Sequence, residues 1–376
     1  MGFIPRDGRI DRLTKAVLCP HVRCPHQVAK GFFEKASRIG RTCLICSAIL
    51  LAGGACGSKG GKRPKPPSPT PTPAPPVPPK TRTRYLGWYD LTHPSMPIGT
   101  WLGEAARSSN LMYMRVDRGE SAQLIPKAVA QGWPAVILMA REEHYEETAQ
   151  AARAVVDSGL NLLGVIAIDE ADLRAPMIRQ NVNLTQFLTH VYNSQKQALA
   201  AIGLGHIPVA NTTWSLASPP PWTWKDKLNA FGVPPTDLFV TDGWYSRPNE
   251  IHLVRHRAIE WLDRMKAALG DKPIIHALKA WSRVPPDLEE IIPEWVLRQL
   301  RCVTGLGTSE YDWTNPNTGD VAPVIVEPLP PEYQGDVLLY KMDPVPSGDS
   351  RWAGGNRKDV VDAVRGFAQP QGWTMD

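Results

Sequence analysis

Three carboxylates crowded at the end of an apolar run are the groups in this chain best placed to do chemistry. The run is Gly164 to Leu173, GVIAIDEADL, in which Asp169, Glu170 and Asp172 follow four apolar residues. Neighbouring acids can divide labour, one held protonated as a general acid while another stays ionised as a base or nucleophile. As a helix start the stretch would place acids where the dipole and the free N–H groups favour them. As a strand it is buried along its length and acidic at its tip, which is what a (β/α)8 barrel requires, since catalytic groups there sit at the carboxyl ends of strands. A helix cap accounts for one acid more readily than for three, and the strand reading is the one followed.

Elements able to position such a tip recur along the chain. From Arg84 onward short apolar segments alternate with amphipathic ones, the pattern of an α/β fold with a parallel sheet. Eight strands are expected, at 85–90, 112–117, 135–140, 163–169, 207–214, 238–244, 274–281 and 303–313. Helices are expected at 121–131, 145–158, 184–202, 250–269 and 288–301. A doubly wound open sheet would alternate similarly. It would carry a glycine-rich phosphate loop after the first strand and gather its polar residues at one switch point, and neither is seen. The expected fold class is therefore α/β, a (β/α)8 TIM barrel.

Read in order, the strand tips offer Asp90; Arg115 and Asp117; Arg141 and Glu142; Asp169 and Glu170; Asn211 and Trp214; and Asp242, Trp244 and Tyr245. The last two offer His276, Lys279 and Trp281, then Glu310 and Trp313, while the proline-rich loop SPPPWTW adds Trp222. Acids interleaved with aromatics around one rim describe a sugar site, where flat rings stack on pyranose faces and carboxylates cleave the bond between sugars. Trp261 and Trp295, on expected helices, are read as core instead. Cys19, His21, Cys24 and His26 (CPHVRCPH) have a zinc-ligand spacing but no packed domain around them, the histidines of the body show none, and neither a metal nor another cofactor is expected.

The barrel pattern and the AIDEADL tip resemble the (β/α)8 glycoside hydrolases, among them β-galactosidase-like and related glycosidase-like domains. The resemblance spans roughly 85–367 in pattern. It implies that Glu170 is the acid/base residue of the fourth strand tip. It also likens the stretch from Tyr340, through Arg351 and Trp352 to RKDVVDAVRGF, to a strand and a final helix that follow the barrel in such domains. One departure matters: the commonest retaining arrangement has a nucleophilic Glu at the seventh tip, where this chain reads PIIHALKAW. Asp242 and Glu310 are the candidates for the second carboxylate. The rival expectation is a glycan-binding surface lipoprotein on a barrel without chemistry, which the missing seventh acid supports.

Composition divides the 376 residues into unlike parts. Residues 1–83 carry 15 Lys/Arg against 3 Asp/Glu, whereas residues 84–376 carry 27 against 34 and hold all 13 tryptophans. A mildly acidic body lacks the basic stripe that a nucleic acid needs, so carbohydrate is the expected partner. Arg38 and Arg41 precede the apolar run CLICSAILLA, which leads into Gly53, Gly54, Ala55 and Cys56. Charge, a short apolar run and small residues make a secretory signal, and the run is about half the ~20 residues of a membrane-spanning helix. Small residues ending at a Cys resemble a bacterial lipoprotein signal, which implies lipidation at Cys56 and contact with a membrane only through that anchor. Cleavage without lipid, giving a secreted protein, is the alternative.

Between Pro64 and Pro79 ten of sixteen residues are proline, a stiff polyproline spacer. The expected organisation is a leader at 1–56, a proline-rich linker at 57–83 and the barrel with a C-terminal extension at 84–376. Cys302, the one cysteine of the body, is read as a small buried hydrophobe.

Overall fold

The computed structural model describes residues 82–89, 102–116, 121–140, 144–169, 171, 183–216, 224–242, 250–280, 292–315, 318–340 and 358–375. All belong to one compact unit, Ala74–Asp376. The leader, Cys56 and the proline-rich run lie outside the described residues.

Strand–helix units follow one another along the chain. They are β1 (Leu86–Tyr89) and α1 (Leu102–Ala106), β2 (Leu111–Arg115) and α2 (Ser121–Gln131), β3 (Ala135–Met139) and α3 (Tyr145–Asp157), and β4 (Asn161–Ile166) and α4 (Leu184–Ala201). The fifth strand comes in two pieces, β5 (Val209–Ala210) and β6 (Trp214–Ser215), followed by α5 (Trp224–Phe231). Next are β7 (Phe239–Asp242) with α6 (Ile251–Leu269), and β8 (Ile274–Lys279) with α7 (Pro293–Thr304). An antiparallel hairpin, β9 (Ser309–Thr314) and β10 (Val321–Val326), then precedes β11 (Asp336–Tyr340) and α8 (Lys358–Ala368).

Every pairing in the large sheet is parallel, in the order β5-β4-β3-β2-β1-β11-β8-β7-β6. Its two ends are consecutive pieces of one segment, Val209 to Ser215. That segment also bonds forward, since the Asp237 amide donates to the Val209 carbonyl at 2.9 Å. The sheet therefore returns on itself as a ring of eight strands, a (β/α)8 barrel.

Buried apolar residues fall into two layers. Strand residues such as Trp88, Met114, Leu138, Phe239 and Leu339 pack with helix residues such as Leu124, Leu188, Trp261 and Val364 in the outer layer. Leu111, Tyr113, Ala135, Ile137, Met139, Ile166, Ala210, Leu238, Val240, Ile275, Ala277 and Leu338 form the other, and none of them lies on a helix. Because side chains alternate between faces along a strand, this second set fills the ring. The barrel is thus plugged with hydrocarbon, and a ligand can be met only at its mouth.

Local chemistry explains the elements. In β3, AVILM is buried at every position, as expected of a strand covered on both faces. α4 starts at Asn183, whose side chain accepts the Gln186 amide at 2.9 Å, and it buries Leu184, Leu188, Val191 and Leu199 along one stripe. Gly87 faces the ring because an added Cβ would stand 2.6 Å from the Leu111 carbonyl oxygen, so β1 and β2 could not approach as they do.

The eighth strand differs from expectation. The run 303–313 divides between the end of α7 and the first hairpin strand, and the barrel strand is β11, DVLLY. Helix α7 continues through Val303 and Thr304 and stops at Gly305, which takes a left-handed φ of 79°. The segment from Tyr340, likened to a strand after the barrel, begins at the last residue of the eighth strand itself, and α8 is the eighth helix.

Candidate functional site

The carboxyl end of the ring gathers the polar side chains that its interior lacks. Leu238, just before β7, and Val240 within it face the lumen, so Asp242 at the strand's end faces it too, with 6% of its surface exposed. On β2, Arg115 follows Leu111 and Tyr113 by the same alternation and is half-buried. Tyr340, which ends β11, packs against the lumenal cluster.

Asp169 lies three residues beyond β4 and is half-buried, and it accepts the Thr213 hydroxyl at 2.8 Å. Asp242 lies beside the other piece of the same strand, opposite Ser215 in register, and its carbonyl accepts the Leu216 amide at 2.6 Å. Two carboxylates thus flank the divided fifth strand, Asp169 on the β5 side and Asp242 on the β6 side. Such a pair, above an apolar floor that excludes water, suits acid and base chemistry on a ligand held at the mouth. Among the described residues no three His, Cys, Asp or Glu side chains converge as a metal site.

Several expected site residues lie elsewhere. His276 is fully buried with Ile274 and Leu278 on the outer face of β8, opposite in parity to the lumenal Ile275 and Ala277. Its Nε2–H donates to the Tyr333 carbonyl at 2.9 Å and its Nδ1 accepts the Thr241 hydroxyl at 2.9 Å. Burial holds its pKa down at about 4, so it is a neutral packing residue and no sugar can reach it.

Trp214 is 1% exposed in the outer layer, tilted against Trp261 at 6.1 Å between ring centroids, and its indole donates to Asn211 Oδ1 at 3.3 Å. Asn211 is equally buried and bound to the Pro235 carbonyl at 2.9 Å. Both are structural, the reverse of the expected stacking and binding roles. Trp261 and Trp295 are buried in the core.

Glu310 and Trp313 belong to the hairpin, outside the ring. Glu310 is exposed, while Trp313 is half-buried edge-on to His252 on α6, at 5.3 Å. The expected roles at an eighth strand tip fail because that tip belongs to β11. Lys279 does end β8, but its ammonium lies 5.5 Å from the ring centre of Trp295 in the first turn of α7. Cys302 is buried, with its thiol pKa pushed up to about 12 by desolvation, as suits a small hydrophobe.

Asp90, Asp117, Arg141, Glu142, Glu170, Trp222, Trp244, Tyr245 and Trp281 lie outside the described residues. The mouth residues that tip-reading passed over are Thr213, Ser215 and Tyr340. The alternation in DVLLY would have placed Tyr340 at a tip had that strand been taken as the eighth.

No protein-family model matches the chain, and no curated protein is similar to it in sequence. Among solved structures it is similar to a chitinase from Chromobacterium violaceum, at 14% identity and a TM-score of 0.36, over 76% of this chain and 98% of that one. It is also similar to the spore cortex-lytic enzyme SleL of Bacillus cereus, at 14% identity and a TM-score of 0.37, over 76% of this chain and 74% of that one. Likenesses this distant assign no residue a role. Among the described residues no helix is long and apolar enough to cross a membrane.

Proposed function

We propose that the barrel mouth is the active site of a glycoside hydrolase acting on an extracellular or cell-envelope poly- or oligosaccharide. Glu170 is the general acid that protonates the departing glycosidic oxygen, and Asp242 is the second carboxylate. The observation that carries this reading is the placing of Asp169 and Asp242 on either side of the fifth strand, above an apolar floor. Glu170 follows Asp169 directly in sequence, and Glu310, once the rival partner, stands off the ring. Asp169 and Arg115 hold neighbouring hydroxyls. Asp90, Asp117, Trp244, Tyr245 and Trp281, each one to three residues beyond a strand end, and Trp222, two residues before α5 in sequence, complete the sugar-binding rim. Glycoside cleavage uses two carboxylates with separated pKa values, and one acid crowded by another in a desolvated mouth acquires the higher one.

The test is turnover by the full-length protein on a panel of glycans, including β-glucans, mannans, chitin and peptidoglycan, read as new reducing ends. Glu170→Gln and Asp242→Asn should each lower kcat by about 10²- to 10⁴-fold while leaving glycan binding nearly intact. The anomer first released, read by NMR, reports the carboxylate separation: retention for ~5 Å and inversion for ~6.5 to 9.5 Å.

A second reading is favoured by one observation, the absence of an acid on β8, whose last residue is Lys279. On that reading the protein binds glycans without cleaving them. A wild type that cleaves nothing in the panel, yet loses affinity for a glycan on Trp222→Ala or Trp244→Ala, would establish the binder.

The leader and the proline-rich run fit an exported protein held off a membrane by a stalk, with a lipid on Cys56. Two acyl chains anchor stably where one binds marginally. Fatty-acid labelling of the native protein that vanishes in Cys56→Ala is the expected result, and equal labelling or none in both leaves plain secretion.

A further inference from the structure

We propose that the break in the fifth strand is a positioning device, in which the hydroxyls of Thr212 and Thr213 hold the chain on both sides of residue 170. This rests on the reading of Glu170 as the general acid.

The break is where the strand changes partners. Val209 and Ala210 pair with Val165 and Ile166 of β4, and the ladder runs one bond further, from the Ala167 amide to the Ala210 carbonyl at 2.9 Å. Trp214 and Ser215 pair instead with Thr241 and Asp242 of β7. Between them the Asn211 amide turns away to the Thr236 hydroxyl at 3.2 Å. An uninterrupted fifth strand would present backbone groups to the β4 side at this height. Here side chains take that place: Thr213 Oγ1 donates to Asp169 Oδ1 at 2.8 Å, and Thr212 Oγ1 accepts the Ala171 amide at 3.0 Å.

Residues 169 and 171 are thus each tied to the break, and residue 170 is the one between them. Thr212 is 1% exposed and Thr213 0%; the tie to Ala171 is buried at both ends, and the tie to Asp169 is buried on the threonine side. A buried hydroxyl also leaves its partner unpaired when removed, which makes the register hard to lose. General acid catalysis needs this fixity, because misplacing a reacting group by about 1 Å costs on the order of 10²-fold in rate. A valine at 212 or 213 would fill the same space and fold the same strand. The hydroxyls therefore do something that packing alone does not require, and they are positioning residues, with no contact to substrate implied.

The test compares full-length wild type with Thr212→Val, Thr213→Val and Thr213→Ser, with Thr241→Val as a matched change on the outer face of the barrel. Three readouts are taken: amide hydrogen exchange at Ala171 and at Leu188 on α4, the split between kcat and KM, and the urea midpoint. Thr212→Val should raise exchange at Ala171 by about tenfold or more without changing Leu188, since it removes the acceptor of that amide. Each valine variant should lower kcat about 10- to 100-fold with KM within about twofold, and Thr213→Ser should recover most of the loss. Thr241→Val should move the urea midpoint and leave kcat alone. Exchange at Ala171 that does not change, or a kcat unchanged despite faster exchange there, overturns the proposal. Losses of kcat that merely follow the urea midpoint across all variants, Thr241→Val included, overturn it as well. Should the wild type cleave no glycan, the hydrolase reading fails by itself, and exchange at Ala171 alone decides whether the break secures the tip.

Discussion

Burial keeps the imidazole of His276 a neutral ring, which donates from Nε2–H to a carbonyl and accepts a hydroxyl proton at Nδ1. Its pKa, about 4 in the folded protein, lies below the ordinary value of 6.5. An unfolded chain therefore takes up the proton first as pH falls, so the stabilisation is fully present above about pH 6.5 and is lost on the way to pH 4. The loss amounts to roughly 3 kcal/mol over that window. Urea midpoints of the wild type should fall between pH 7.5 and 4.5, and His276→Gln should flatten the dependence; equal slopes would assign the effect to other groups.

Asp336 makes a second residue-scale case. Its carboxylate accepts the Arg84 amide at 2.9 Å and the Tyr85 amide at 3.0 Å, fixing the entry to β1 against burial that raises its pKa. Asp336→Ala leaves both donors unpaired and should cost about 2 to 3 kcal/mol in a urea melt, while Asp336→Asn should cost less. Both residues show what reading strand tips leaves out. A polar residue near a strand end faces the mouth only at the right parity. His276 shares its parity with Ile274 and Leu278, a sign present in PIIHALKAW, while Trp214 follows a strand break that no periodicity announces.

Among the elements, β1 to β4, β7 and β8 and helices α2, α3, α4 and α6 were legible to within a few residues, because long apolar runs and amphipathic stripes are local signals. The eighth strand was not, because CVTGLGTSEYDW joins a helix end to a hairpin strand, and both are apolar enough to pass for one strand. What separates them is Gly305, whose left-handed φ only glycine adopts cheaply and where an added Cβ would displace the Gln334 amide group, which donates to the Leu329 carbonyl at 3.0 Å. Gly305→Ala should therefore lower the thermal midpoint by several degrees, for a cost of about 1 to 3 kcal/mol, whereas Gly319→Ala, equally left-handed but in open space, should cost less. The hairpin packs its inner face on α6 and α7 through Tyr311 and Val326 and turns Glu310, Val321 and Ile325 to solvent. Glu310→Gln should leave turnover within about twofold of wild type, which a glycan assay checks.

At the scale of the whole molecule, the pairing of β1 with β11 joins Leu86 to Val337 and Gly87 to Leu338. The ring thus closes between its first and last strands, some 250 residues apart along the chain. This sets an order in time. A chain emerging from a ribosome or a translocation pore can assemble β1 to β8 as a curved sheet, but β1 keeps a bare edge and the hydrocarbon filling lacks Leu338 until the last strand arrives. Pulse proteolysis of chains stopped at residue 330 should therefore find them cut far faster than chains stopped at 376, with the difference restored when a peptide covering β11 and α8 is supplied. A barrel whose locking piece is made last stays open until its synthesis is nearly done, so the fold carries its own delay against shutting early.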